Sequence, residues 1–155
     1  MDPSAIFENF KRVVTEHYLD FSGRTRRSVF WYYVLAYFVI LVGLSIVQGI
    51  IGTRLLTGLY TLGLFLPTLA IGVRRLHDTN RTGWLVLIGA VPALLFLVLS
   101  SMALVAGAGR FMFISATVLP LLSLIAAGIL IYWYAQPGTV GDNAYGPDPK
   151  TGTSV

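Results

Sequence analysis

The chain has 155 residues, 55% of them hydrophobic and only 12% charged, with a mean hydropathy of +0.74. A soluble domain of this length carries about a quarter charged residues, so the deficit points to lipid around much of the surface. The lack of cysteine excludes a disulfide framework, a thiolate nucleophile and a cysteine-ligated metal, and a net charge of +4 on so apolar a chain argues against nucleic-acid binding.

The first patterned stretch is residues 3–18. Asp2-Pro3 can start a helix, and Ile6, Phe7, Phe10, Val13, Val14 and His17 then recur at helical spacing, with Glu8, Lys11, Arg12 and Glu16 elsewhere. This predicts an amphipathic helix that either lies in the membrane interface or packs on the cytoplasmic ends of a bundle.

Four runs without a formal charge follow, at residues 29–51, 55–73, 84–106 and 111–134. A membrane-spanning helix takes about 20 apolar residues at 1.5 Å rise each, so every run is long enough to cross. Gln48 is the most polar side chain inside them, and Trp31, Trp84, Trp133 and Tyr134 gather near ends, where amphipathic rings sit at headgroup level. The first run is too long for a signal-peptide core and lacks a clear cleavage signal, so it is read as retained. The short links 52–54 and 107–110 force antiparallel hairpins. Pro67, Pro92 and Pro120 fall inside three of the runs. They read as packing kinks, with a broken helix lining a transport site as the sharper alternative. Ser45/Gly49, Gly89/Ala93 and Ser123/Ala127 repeat small residues four apart, a spacing that lets helices approach closely.

The tail from residue 136 is rich in Gly, Pro, Asn and Asp and has no apolar period, so it is a loop or extended segment able to fold back under the bundle. The fold class that follows is an all-α membrane protein, a single domain over residues 1–155. It has four transmembrane helices in two antiparallel hairpins, an N-terminal amphipathic interfacial helix and an irregular C-terminal tail.

Orientation follows from lysine and arginine counts. Nine lie on one side (Lys11, Arg12, Arg24, Arg26, Arg27, Arg74, Arg75, Arg81 and Lys150) against Arg54 and Arg110 on the other. That asymmetry places both termini and the middle loop in the cytoplasm.

Three polar segments stand out: Gly23-Arg24-Thr25-Arg26-Arg27 leading into Phe30-Trp31, the stretch Arg74-Arg75-Leu76-His77-Asp78 with Arg81 and Gly83-Trp84, and the tail Gly141-Asp142-Asn143-Ala144-Tyr145-Gly146-Pro147-Asp148-Pro149. Taken in order and covering nearly the whole chain, they resemble the "domain of unknown function 805" group of small bacterial inner-membrane proteins. The long third and fourth runs with their short link are more elaborate than that group's minimal pattern. The resemblance implies an integral helical membrane protein and no established activity.

All three segments fall on the side assigned to the cytoplasm, so they can meet in one layer. Arg24, Arg27, Arg74, Arg75 and Arg81 offer planar forks suited to phosphate or carboxylate, with Asp78, Asp142 and Asp148 as internal partners. His77 beside Asp78 is a pairing that could tune an imidazole near neutral pH. Trp84, Asn143 and Tyr145 complete the candidate set. Each also has a structural reading: topology arginines, a capping or paired Asp78, an interfacial anchor at Trp84, and turns in the tail. A lone histidine without cysteine argues against a metal, and no cofactor motif or hydrolase signature is present in the sequence.

The function expected first is therefore a membrane interaction module. Its cytoplasmic Arg/His/Asp layer would bind an anionic lipid headgroup, a phosphorylated ligand or an acidic segment of a membrane or cytoplasmic protein. A lipid-headgroup enzyme using His77 and Asp78 is the alternative from a different class. A transporter subunit is the third, disfavoured by spans bare of ionisable groups. Four spans could oligomerise around a pore, but no feature asks for it.

Overall fold

The computed structural model describes residues 3–53, 55–106 and 114–151. Regular structure among the described residues is helical throughout. The chain packs as two compact units: one runs up to Gly83 and resumes at Pro137, the other spans residues 84–136.

The first unit contains α1 (Pro3–Thr15), α2 (Arg27–Ile51), α3 (Leu55–Gly63) and α4 (Phe65–Asp78). The apolar stripe of α1 packs on α2. Val13 is buried, the Phe10 ring stacks on Tyr33 with centroids 5.5 Å apart, and Asn9 Nδ2 donates to the Val29 carbonyl at 2.9 Å. Phe7, from the same stripe, stays exposed. At the far end of α2 the chain reverses through Gly52, whose φ of +75° lets its N–H close back on the Gln48 carbonyl at 2.9 Å. Only glycine takes that left-handed cap without strain. The Gln48 amide oxygen accepts from the Thr57 hydroxyl at 3.1 Å, so the most polar side chain of the first run is satisfied at the start of α3.

The second apolar run is not one straight helix. It breaks at Leu64, and α3 and α4 are bent by 42°. Pro67 has no N–H to return to the Gly63 carbonyl, and the Tyr18 hydroxyl donates to that carbonyl instead. Pro67 itself sits in the first turn of α4, where the missing donor costs least. The core of this unit is built from Val13, Phe30, Tyr33, Ala70, Ile71 and Leu76.

The second unit opens with a 3-10 turn, Gly83–Val86, that begins at the unit boundary. It continues as α5 (Leu87–Ala106), a π-helical turn (Ile114–Val118) and α6 (Leu119–Ala135). α5 and α6 pack together at Gly89, where an added Cβ would lie 2.8 Å from Leu130 Cδ1. By contrast Gly49 has open space around it, so of these two small-residue pairs it is Gly89/Ala93 that marks a close helix approach. α5 runs through Pro92 without a break, and Pro120 falls in the first turn of α6. The link 107–110, the first residues of the fourth run and the two arginines Arg54 and Arg110 lie outside the described residues.

Three helical segments are long and apolar enough to cross a membrane, Arg27–Ile51, Gly83–Met102 and Ala116–Ala135, and the bent α3–α4 pair makes a fourth if counted as one span. Their side chains largely face outward: Ile50 is 81% exposed and Leu124 70%. Apolar surface of that extent is compatible with lipid and would aggregate in water.

Candidate functional site

Asp78 ends α4, and the polar site of the first unit is built around it. Its carboxylate, 5% exposed, is held between two arginines whose side chains are almost wholly buried. Arg75 reaches Oδ2 from one helical turn earlier, the i, i+3 spacing that brings side chains onto one helix face. Arg24, in the connection before α2, donates from Nε to Oδ1 at 3.1 Å.

The same Arg24 fork organises the C-terminal tail. Nη2 donates to the Thr139 carbonyl at 2.6 Å, and Nη1 donates to Gly141 at 2.7 Å and Gly146 at 3.3 Å. One planar guanidinium thus joins the Asp78 carboxylate to three tail carbonyls, a geometry lysine cannot reproduce. The Thr139 N–H completes the clasp by donating to the Asp78 carbonyl at 2.8 Å. Gly138 lies so close that an added Cβ would overlap the Asp78 carboxylate.

The tail also closes on itself. Asn143 and Gly146 exchange backbone hydrogen bonds at 3.1 Å. The Asp148 carboxylate accepts from the Lys150 N–H at 2.9 Å and the Gly141 N–H at 3.0 Å, and these two donors hold it below the usual carboxylate range. The Asp148 N–H donates to Asp142 at 3.2 Å. Asp142 and Asp148, expected as arginine partners, instead bond backbone amides of their own segment.

His77 faces elsewhere. Its ring stacks on Tyr145, with centroids 3.9 Å apart and planes 4° from parallel, and Nδ1 lies 3.2 Å from the Gly23 carbonyl. A carbonyl only accepts, so Nδ1 is assigned the proton. Asn143 Nδ2 donates to the His77 carbonyl at 2.9 Å. Gly83 packs against this group: a Cβ there would stand 2.5 Å from Val73 Cγ1 and 3.1 Å from His77 Nε2. Both Asp78 oxygens go to arginines and the imidazole goes to Gly23, so the expected His77–Asp78 acid–base pair is not formed.

The other candidates divide. Arg74, buried like its neighbour, turns to the α1–α2 connection. Its Nη1 is 3.8 Å from Asp20 Oδ2, while Nε and Nη2 have no hydrogen-bond partner among the described residues. Burial pushes the Asp20 carboxyl up, but bonds from Ser22 and His17 outweigh it and leave the carboxyl below its ordinary value. Arg81 bonds the Thr79 carbonyl at 3.4 Å, and Trp84, 77% exposed, belongs to the second unit.

Beside the clasp lies a cavity of about 380 Å³, lined among others by Arg26, Arg27, Ser28, Asp78, Asp148 and Lys150. Arg26 donates from Nε to the Pro149 carbonyl, which fixes the tail against the start of α2. Of the three cations here only Arg27 was singled out from sequence. Arg26 and Lys150 carried only topology weight, because nothing in their spacing says that the tail returns to α2.

Relatives match the chain in sequence along most of their length. The chain is 33% identical over 143 residues to the inner membrane protein YhaI of Escherichia coli K12, covering 91% of this chain and 95% of that one. It is 29% identical to the inner membrane protein YhaH of the same strain, covering 88% and 93%, and 31% identical to the uncharacterized protein YiiR, covering 84% and 86%. No solved structure matches. Residues 18–147, which hold α2 to α6, the Asp78 clasp and the His77–Tyr145 stack, match the family described as "Protein of unknown function (DUF805)", and the chain belongs to that family.

Proposed function

We propose that the chain is a multi-pass inner-membrane interaction module. It crosses the membrane four times in two hairpins and keeps both termini and the loop after α4 in the cytoplasm. There it presents a polar layer that binds an anionic group. The nine-to-two distribution of lysine and arginine supports the orientation. The names of two relatives, both inner membrane proteins, support the location. On this reading α1 rests at the interface with Phe7 toward lipid while Val13 packs on α2.

One observation carries the binding role. Asp78 draws Arg24, Arg75 and the tail into a single fixed layer, and the cavity beside them has more cations than carboxylates around it. Arg24 and Arg75 hold the layer together, and Arg26, Arg27 and Lys150 face an anion.

Two measurements test the reading. With no native cysteine, a single Val140→Cys, at a tail position 92% exposed, reports sidedness through a membrane-impermeant maleimide. Labelling in inverted vesicles and protection in spheroplasts are expected, and the reverse overturns the orientation. In nanodiscs of phosphatidylcholine, replacing part of the lipid with phosphatidylglycerol is expected to raise the melting temperature. Equal melting in both lipids overturns binding of an anionic lipid headgroup.

A further inference from the structure

We propose that the cavity between the start of α2 and the tail is a phosphate-binding site, formed by Arg26, Arg27, Ser28 and Lys150. This rests on the anionic-binding reading and assigns it a place and a chemical class. At about 380 Å³ the cavity falls in the size range of small-ligand pockets and takes a phosphate with a short polar substituent.

Its electrostatics favour an anion. Around the cavity and directly bonded to its walls are five cations (Arg24, Arg26, Arg27, Arg75 and Lys150) against three carboxylates (Asp78, Asp142 and Asp148). The carboxylates already accept hydrogen bonds, Asp78 from two arginines and the tail aspartates from backbone amides. The Ser28 hydroxyl adds a neutral donor. The first turn of α2 has neither an acidic residue nor a side-chain cap, so the positive end of a 25-residue helix adds to the same field. Guanidinium forks are suited to bidentate phosphate contact.

Depth narrows the source. Ser28 directly precedes Val29, the first residue of the 29–51 apolar run, so the cavity lies where a spanning helix leaves the hydrocarbon. The phosphate of a lipid sits at that level. Free phosphate shares the chemistry, and the experiment separates the two.

Purified protein in phosphatidylcholine nanodiscs is titrated with phosphatidylglycerol, and separately with inorganic phosphate alone, following the melting temperature. Arg27→Gln and Lys150→Gln, both at exposed positions, are each expected to weaken phosphatidylglycerol binding by roughly tenfold or more, the value of one charge-assisted hydrogen bond. Lys11→Gln, the same charge change on α1, is expected to leave it within about twofold. Arg27→Lys keeps the charge and is expected to fall between. Unchanged hydrogen exchange in the tail confirms that a variant is folded. Stabilisation by inorganic phosphate alone assigns a free phosphate source, and stabilisation by lipid only assigns the headgroup. Binding that survives both cavity variants, or that falls equally with Lys11→Gln, overturns this site while leaving anionic binding in place. A wild type that binds neither probe overturns both.

Discussion

Replacing Asp78 by asparagine should release the tail. The substitution keeps the shape and removes the charge that holds Arg24 and Arg75, whose side chains are 1% and 0% exposed. Two buried guanidinium groups then face each other around an amide that can accept but also presents donors. Removing one partner of a buried ion pair costs about 3–5 kcal/mol. At about 1.4 kcal/mol per decade this shifts the clasp equilibrium by roughly two to three and a half powers of ten. Hydrogen exchange of the Thr139 and Gly141 amides reads the effect, since they donate to the Asp78 carbonyl and the Asp148 carboxylate. Their protection is expected to fall by that factor while α5 and α6 stay protected. Adding Arg75→Met should recover part of the loss, because it removes the repelling cation and leaves the bonds from Arg24 to Thr139, Gly141 and Gly146. Tail protection in folded Asp78→Asn equal to that of wild type would show that the Asp78 charge does not hold the tail.

Three further outcomes are expected. Gly138→Ala places a Cβ against a carboxylate fixed from two sides and should cost about 1–3 kcal/mol of tail stability in the same exchange measurement. Tyr145→Phe should be neutral, because the His77 stack uses the ring face, whereas Tyr145→Ala should lose about 1 kcal/mol in thermal melting. The Asp148 carboxyl is lowered in the folded chain relative to about 3.9 unfolded, so its contribution is whole above about pH 4 and is lost as pH falls through the lower folded value. Pepsin cleavage of the tail should therefore accelerate as pH falls below 4, and Asp148→Asn should flatten that dependence.

The helical runs were legible because their lengths match a bilayer and no charge interrupts them. The bend at Leu64 was legible as a kink from Pro67, but the group that satisfies the freed Gly63 carbonyl, the Tyr18 hydroxyl, was not, since it lies 45 residues away. His77 beside Asp78 misled for a geometric reason: successive helical residues point about 100° apart, whereas Arg75 and Asp78 share a face. Asp142 and Asp148 misled because short carboxylates in loops readily bond nearby backbone amides. Arg24, Arg75 and Asp78 are all candidates from sequence, yet only the folded chain says that Arg24 also holds three tail carbonyls. Glycine positions were the least readable: Gly138 and Gly83 are fixed by close approach to Asp78 and to Val73 and His77, which no local pattern reveals.

On the proposed function, Asp78 uses Arg24 and Arg75 to hold the layer, while Arg26, Arg27 and Lys150 take an anion. Native mass spectrometry of protein exchanged into mixed phosphatidylcholine and phosphatidylglycerol tests it most directly. One tightly retained phosphatidylglycerol per wild-type chain is expected, with loss of that adduct in the combined Arg27→Gln and Lys150→Gln variant. Equal retention of the two lipids by wild type, or a phosphatidylglycerol adduct undiminished in the variant, would contradict it.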